Sequence, residues 1–124
     1  MKINKLDHVN LRTHQLDQMV RWYDKVLGLK AGKRPNFQFA GAWIYAGQDA
    51  VIHLVEVEKE CTSVEPKIEH FAFQASGLEQ LTSRLNTLQI AHSVDPVPGT
   101  TITQVNLKDI DGNHIHIDFR PETE

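Results

Sequence analysis

The feature that most restricts the fold is an internal repeat. LDHVNLRTHQLDQMV, beginning at Leu6, aligns with IEHFAFQASGLEQLT, beginning at Ile68, at an offset of 62 residues in a chain of 124. His8 falls on His70, Leu16 on Leu78 and Gln18 on Gln80, while Leu6/Ile68, Asp7/Glu69 and Leu11/Phe73 are chemically alike. With one residue inserted, AVIHLVE from Ala50 matches NHIHIDF from Asn113, which brings His53 onto His116. Two histidine coincidences in register point to duplication, and a duplicated chain builds two copies of one unit.

Both copies carry the same order of periodicities. Residues 5–13 alternate apolar with polar, as a half-buried strand does. Met19, Val20, Tyr23, Val26 and Leu27 then recur at helical spacing, and Gly28 follows as a stop. Residues 29–34, 40–46 and 50–57 have strand character, the last two joined by a Gly47-Gln48-Asp49 turn. The second copy predicts a strand over 67–75, a helix over 78–89 with Leu78, Leu81, Leu85 and Leu88 on one stripe, and strands over 91–95, 101–107 and 114–119. Between them, residues 58–66 are charged and polar and close on Pro66, a linker.

The pattern predicts an α+β fold in a single domain over 1–124, built as two tandem βαβββ modules (1–60 and 67–124). One helix covers only one face of its sheet. The modules are therefore expected to form a curved, mixed, eight-stranded sheet, a half-barrel trough with the helices on its outer face.

Charge narrows the partners. The formal net charge is −3 and no run of Lys or Arg occurs, which argues against nucleic acid and anionic membranes. MKINKLDHVN has no apolar core of a signal peptide and no apolar run approaches a membrane span. Cys61 is the single cysteine, so no internal disulfide forms and a reducing cytoplasm is the expected setting.

The chain has 7 histidines, and strand parity sorts them. If Val9 and Leu11 meet the helix, His8, Asn10 and Arg12 face the trough; His53 lies opposite Ile52 and Leu54. His70 and His116 take the polar parity in the second copy, and Gln104 and Asn106 alternate against Val105 and Leu107 onto the same side. Neighbouring strands lie about 4.8 Å apart, so imidazoles from adjacent strands come within reach of an ion bound at roughly 2.0–2.1 Å. The predicted metal ligands are His8, His53, His70 and His116. His114 and Asp118 share the face of His116 and are the candidate proton-transfer residues. Imidazole ligands suit one divalent transition metal, with zinc, nickel or iron foremost.

LDHVNLRT, WYDKVLGL, AVIHLVE, EHFAFQ and DIDGNHIHIDF resemble segments of the vicinal oxygen chelate superfamily, which includes glyoxalase I, fosfomycin-resistance thiol transferases, bleomycin-resistance proteins and extradiol dioxygenases. The resemblance spans essentially the whole chain. It implies paired βαβββ modules, metal ligands on the first and last strand of each, and a homodimer. It also implies that Arg12 anchors a substrate anion and that Gln104 and Asn106 line the substrate pocket; Asn10, which parity puts on the trough face, is the further candidate for substrate binding.

One departure stands out. His53 and His116 occupy positions where metal-dependent members usually carry Glu, so the carboxylate base of glyoxalase I is missing from both. The expected function is lyase or isomerase chemistry on a small metabolite that chelates a divalent metal through vicinal oxygens. The alternatives are an extradiol dioxygenase-like iron oxygenase and a non-catalytic small-molecule binding or resistance protein.

Overall fold

The computed structural model describes residues 1–121. The chain divides into two compact units, one ending at Thr62 and the other starting at Ser63. The first holds β1 (Val9–Thr13), α1 (Leu16–Leu27), β2 (Lys30–Gly32), β3 (Gly41–Ala46) and β4 (Asp49–Glu56). The second holds β5 (Phe71–Ala75), α2 (Leu78–Thr87), β6 (His92–Pro96), β7 (Thr103–Lys108) and β8 (His114–Phe119). This is the α+β arrangement of two βαβββ modules that the repeat predicts.

Each module contains one four-stranded mixed sheet, in the order β1-β4-β3-β2 in the first and β5-β8-β7-β6 in the second. β1 pairs parallel with β4, and β5 with β8; the remaining pairs are antiparallel. The parallel pairing matters for function. It sets the start of the first strand beside the histidine-bearing stretch of the last, with Asn10 opposite His53 and Ala72 opposite His116.

Helix α1 forms because Met19, Trp22, Tyr23 and Val26 make one buried stripe, the i, i+3, i+4, i+7 spacing of a helix face. Thr13 opens it: its side-chain oxygen accepts the backbone N–H of Gln15 at 3.1 Å. Gly28 closes it at φ 70, donating its N–H to Asp24. Against this stripe lie Ile44, Ile52 and Leu54 from β3 and β4, all fully or almost fully buried. Each such side chain contributes about 1.5–3 kcal/mol of burial, so a charge at any of them would open the module. Trp43, Tyr45, Val51 and His53 point to the opposite face and stay half-buried. In the second module Leu81, Leu85, Val105, Leu107, Ile115, Ile117 and Phe119 are the buried set, leaving Gln104, Asn106, His114, His116 and Asp118 on the other face.

Several boundaries differ from the sequence expectation. The first strand of each module starts at Val9 and at Phe71, four residues later than the alternation suggests, because the parallel ladders begin only at Val9–Ile52 and Phe71–Ile115. His8 and His70 therefore precede their strands by one residue. The strand expected over 29–34 is reduced to Lys30–Gly32. Helix α2 ends at Thr87, short of Gln89, because Gln89 adopts a left-handed backbone at φ 57. Among the described residues no helix is long and apolar enough to cross a membrane.

Candidate metal centre

In both modules the histidine before the first strand stacks on the histidine of the last. His8 lies over His53 with ring centres 3.7 Å apart and planes at 12°. His70 lies over His116 at 3.8 Å and 15°. Each leading histidine is held by the acidic residue before it: His8 Nδ1 donates to Asp7 Oδ1 at 2.8 Å and His70 Nδ1 to Glu69 Oε1 at 2.7 Å. A carboxylate only accepts, so these bonds place a ring proton on Nδ1, and a neutral ring held this way has its lone pair on Nε2. A carboxylate behind a histidine in this way is the usual support of a metal-ligating imidazole.

The modules then diverge. In the first, Trp43 covers the other face of His53 at 4.1 Å and 10°, while His53 Nε2 donates to the Ala50 carbonyl at 3.1 Å. Phe37 and Phe39 continue the aromatic run from Trp43, and the Arg34 guanidinium carbon lies 4.8 Å from the Phe37 ring centre. A cavity of about 290 Å³ opens beside this run, with Lys5, Asp7, Trp43, Tyr45, Val51 and His53 in its wall. The hydrogen bond from His8 holds the Asp7 carboxyl below its ordinary value, and burial lowers the pKa of His53, with the nearby His8 adding to the effect.

In the second module the polar groups gather. Glu69, His70, His114 and His116 each bring a ligand-capable atom to within 4.8 Å of the others, the only such group of three or more among the described residues. Glu69 Oε2 accepts from His114 Nδ1 at 2.6 Å while Oε1 serves His70. His114 Nε2 stands 3.1 Å from His116 Nε2 and 3.2 Å from Asn106 Oδ1. Asp118, two residues beyond His116, accepts from Gln104 Nε2 at 3.0 Å. The hydrogen bonds from His114 and then His70 pull the Glu69 carboxyl down to about 2. Burial, followed by the charges of His70 and His114, lowers the pKa of His116. Glu69 is therefore an anion and His116 a neutral ring at neutral pH, the states a metal requires of its surroundings.

The donor set fits a divalent transition metal. Two ligands bound at about 2.1 Å and roughly 90–110° apart sit about 3.0–3.4 Å from each other, which brackets the 3.1 Å between His114 and His116. Nitrogen donors of this kind suit zinc, nickel or iron and disfavour magnesium or calcium.

Of the residues singled out in the sequence, His70, His114 and His116 come together in the second module, with Gln104, Asn106 and Asp118 bonded around them. His8 and His53 come together in the first. Asn10 and Arg12 are exposed on β1, in register with His53 and Val55. Sequence reasoning assigned no role to Asp7 and Glu69, although their alignment in the repeat was a usable signal. Nor did it single out the aromatic run at Phe37, Phe39 and Trp43, whose two phenylalanines lie in an aperiodic loop.

The chain matches the family described as the Glyoxalase/Bleomycin resistance protein/Dioxygenase superfamily over residues 5–117. It is 30% identical over 125 residues to Glyoxylase I 4 of Arabidopsis thaliana, covering 94% of this chain and 71% of that protein. Among solved structures, a glyoxylase/bleomycin resistance protein/dioxygenase domain from Frankia sp. EAN1pec superposes with a TM-score of 0.80 at 21% identity, covering 99% of this chain and 96% of that one. The lactoylglutathione lyase of Agrobacterium tumefaciens superposes with a TM-score of 0.71 at 18% identity, covering 96% of both chains. At these identities the two structures establish a shared fold.

Proposed function

Because the chain belongs to the glyoxalase/bleomycin resistance protein/dioxygenase superfamily, we propose that it is a metal-dependent lyase or isomerase acting on a small metabolite with two adjacent oxygens. The observation that carries this reading is the convergence of Glu69, His70, His114 and His116. Each module offers a stacked histidine pair as candidate ligands, His8 and His53 in the first and His70 and His116 in the second. When bound, the metal supplies Lewis-acid polarisation of the substrate oxygens.

The chain's own residues then have separable tasks. Proton transfer falls to Asp118, which lies on the face of His116 and is oriented by the Gln104 amide at 3.0 Å. His114 is the less suitable base, because both of its nitrogens are already engaged. Asn106 lines the site beside His114. Arg12 and Asn10, exposed beside His53, are suited to holding a substrate anion. The same reading includes a homodimer and a reducing, cytoplasmic setting, to which the exposed lone Cys61 is suited.

Elemental analysis of protein purified without chelators tests the metal, and turnover of α-hydroxycarbonyl and thiohemiacetal substrates tests the chemistry. The reading expects one zinc, nickel or iron per chain and activity that is lost in Asp118→Asn while metal is retained. Oxygen uptake with a catechol would instead favour a ring-cleaving oxygenase, and a metal-free protein that binds small molecules without turnover would favour a binding role.

A further inference from the structure

The two sheets differ at one rung. In the first module Ile44 pairs with Ile52 and Tyr45 with Ala50, so Val51 is an extra residue without a partner on β3, a β-bulge. The equivalent ladder between β7 and β8 runs unbroken from Thr103 to Lys108. Bulges bend a strand, re-aim its side chains and concentrate beside binding sites. Val51 lies in the wall of the cavity of about 290 Å³, which is bounded by residues ahead of β1 and by the β3–β4 hairpin. An apolar cavity of about 150 Å³ admits benzene, so this one has room for a ring with a short arm.

Trp43 and Tyr45 bring aromatic surface to that wall, and Leu6 and Val51 add aliphatic surface. Both rings are fixed: Trp43 stacks on His53 at 4.1 Å, and the Tyr45 hydroxyl donates to the Lys33 carbonyl. The charges in the wall are Asp7 and Asp49 against Lys5, an excess of one carboxylate. Lys5 approaches Asp49 only to 3.5 Å, with both side chains mostly exposed. Such a pair is weak and exchangeable. Asp7 gives Oδ1 to His8 at 2.8 Å and keeps Oδ2 as an acceptor. Arg12 lies elsewhere, opposite Val55 toward the far end of β4.

We propose that this cavity is a binding site for small aromatic amines, with the ring against Trp43, Tyr45 and Val51 and the ammonium group held by Asp49 and Asp7. An aromatic acid is disfavoured there, because its carboxylate would meet two others. The second module has no such wall, since Asn106 stands opposite His116 where Trp43 stands opposite His53. The site goes beyond the metal-dependent reading and needs no metal.

The test titrates the full-length, metal-free protein at neutral pH with 2-phenylethylamine, 2-phenylethanol and 3-phenylpropionate, followed by 15N–1H correlation spectra. Trp43 and Trp22 are the two tryptophans, and Trp22 is buried on α1, so their indole N–H signals separate the cavity from the core. The amine is expected to move the Trp43 signal saturably and leave Trp22 in place. It should bind about fivefold tighter than the alcohol, the upper range of an exposed ion pair, and the acid should bind weakest. Asp49→Asn should bring the amine to within about twofold of the alcohol without changing the alcohol's affinity. Val51→Phe should abolish binding of all three by filling the space, with an unmoved Trp22 signal reporting an intact module. Failure of the amine to saturate the Trp43 signal would overturn the proposal. So would an acid that binds as tightly as the amine, or parental affinity in Val51→Phe. Zinc binding by the same protein is a separate measurement, so the metal-dependent reading and this site can each fail alone.

Discussion

Asp109 is 4% exposed and carries the turn that leads into β8. Its Oδ1 accepts the backbone N–H groups of Asp111 at 2.9 Å and Asn113 at 3.0 Å, and its Oδ2 accepts Asn113 Nδ2 at 2.9 Å. Its own N–H donates to the Asn113 carbonyl, and Gly112, at φ 86, donates back to the Asp109 carbonyl. This knot joins β7 to β8 and fixes Lys108 opposite His114 and Asn106 opposite His116. Asp109→Ala removes all three side-chain contacts and leaves two backbone donors without their carboxylate. Hydrogen bonds to a charged group are worth about 1.5–3 kcal/mol each. The low end applies where freed donors can reach water, so the two backbone bonds together give about 3 kcal/mol.

For a chain of this size about 1 kcal/mol moves Tm by roughly 3 °C, so Asp109→Ala should melt about 9 °C below the parent. Asp109→Asn keeps the Oδ1 acceptor but sets an NH2 group against Asn113 Nδ2, losing one bond; about 1 kcal/mol and roughly 3 °C are expected. Differential scanning calorimetry of the metal-free proteins measures both, and zinc affinity should fall in the same order because the candidate ligand His116 lies on the strand the turn releases. Two results would refute the reasoning: Asp109→Ala melting within 2 °C of the parent (about the shift of a neutral surface substitution), or Asp109→Asn being as damaging as Asp109→Ala.

Three further outcomes are expected. Gln89 sits in the left-handed region at φ 57 where α1 has Gly28 at φ 70, so Gln89→Gly should raise unfolding stability by about 0.5–1 kcal/mol in urea titrations; a decrease would contradict the strain. A Cβ added at Gly41 would overlap the Leu54 carbonyl oxygen and come within 2.9 Å of Arg34 Nη2, so Gly41→Ala should cost about 1–3 kcal/mol by the same assay. In the metal-free protein His53 and His116 have pKa values below the ordinary 6.5, chiefly through burial. The unfolded chain therefore binds protons first as pH falls below 6.5, and the stability held above that value is lost toward the lowered pKa values. A denaturation midpoint that stays flat or rises from pH 7 to 5 would exclude this, and His116→Gln should shallow the slope.

The duplication made the architecture legible, because two copies of one periodic pattern leave few alternatives for connectivity. Parity along β4, β7 and β8 placed His53, Gln104, Asn106, His114, His116 and Asp118 on their faces correctly, since ladder bonds on both sides enforce alternation there. Parity failed where no ladder exists. Residues 7–8 and 69–70 precede the pairing, so nothing obliges adjacent side chains to point apart, and Asp7 and Glu69 turn back onto the histidines that follow them. Strict alternation would have sent each carboxylate to the opposite face. The Asp109 turn is only partly visible in the sequence: Asp111-Gly112-Asn113 is a turn-forming tripeptide, but a buried carboxylate organising it from two residues upstream has no periodic signature.

The two modules show how a duplicated scaffold acquires unequal halves. Both keep a carboxylate, a leading histidine and a second histidine stacked beneath it at nearly the same spacing. Register makes Trp43 the counterpart of Asn106, since each lies opposite the second histidine of its sheet. Repeat alignment makes Val51 the counterpart of His114. Trp43 and His8 enclose His53 on both faces, whereas His116 has His70 on one face and the edge of His114 beside it. An aromatic ring at the first position adds stacking surface against the imidazole; an amide and a third imidazole add polar groups around it. Two side-chain differences on a common backbone therefore separate an aromatic surface in the first module from a cation-ready cluster in the second. What flanks the stacked pair, more than the pair itself, distinguishes the two modules.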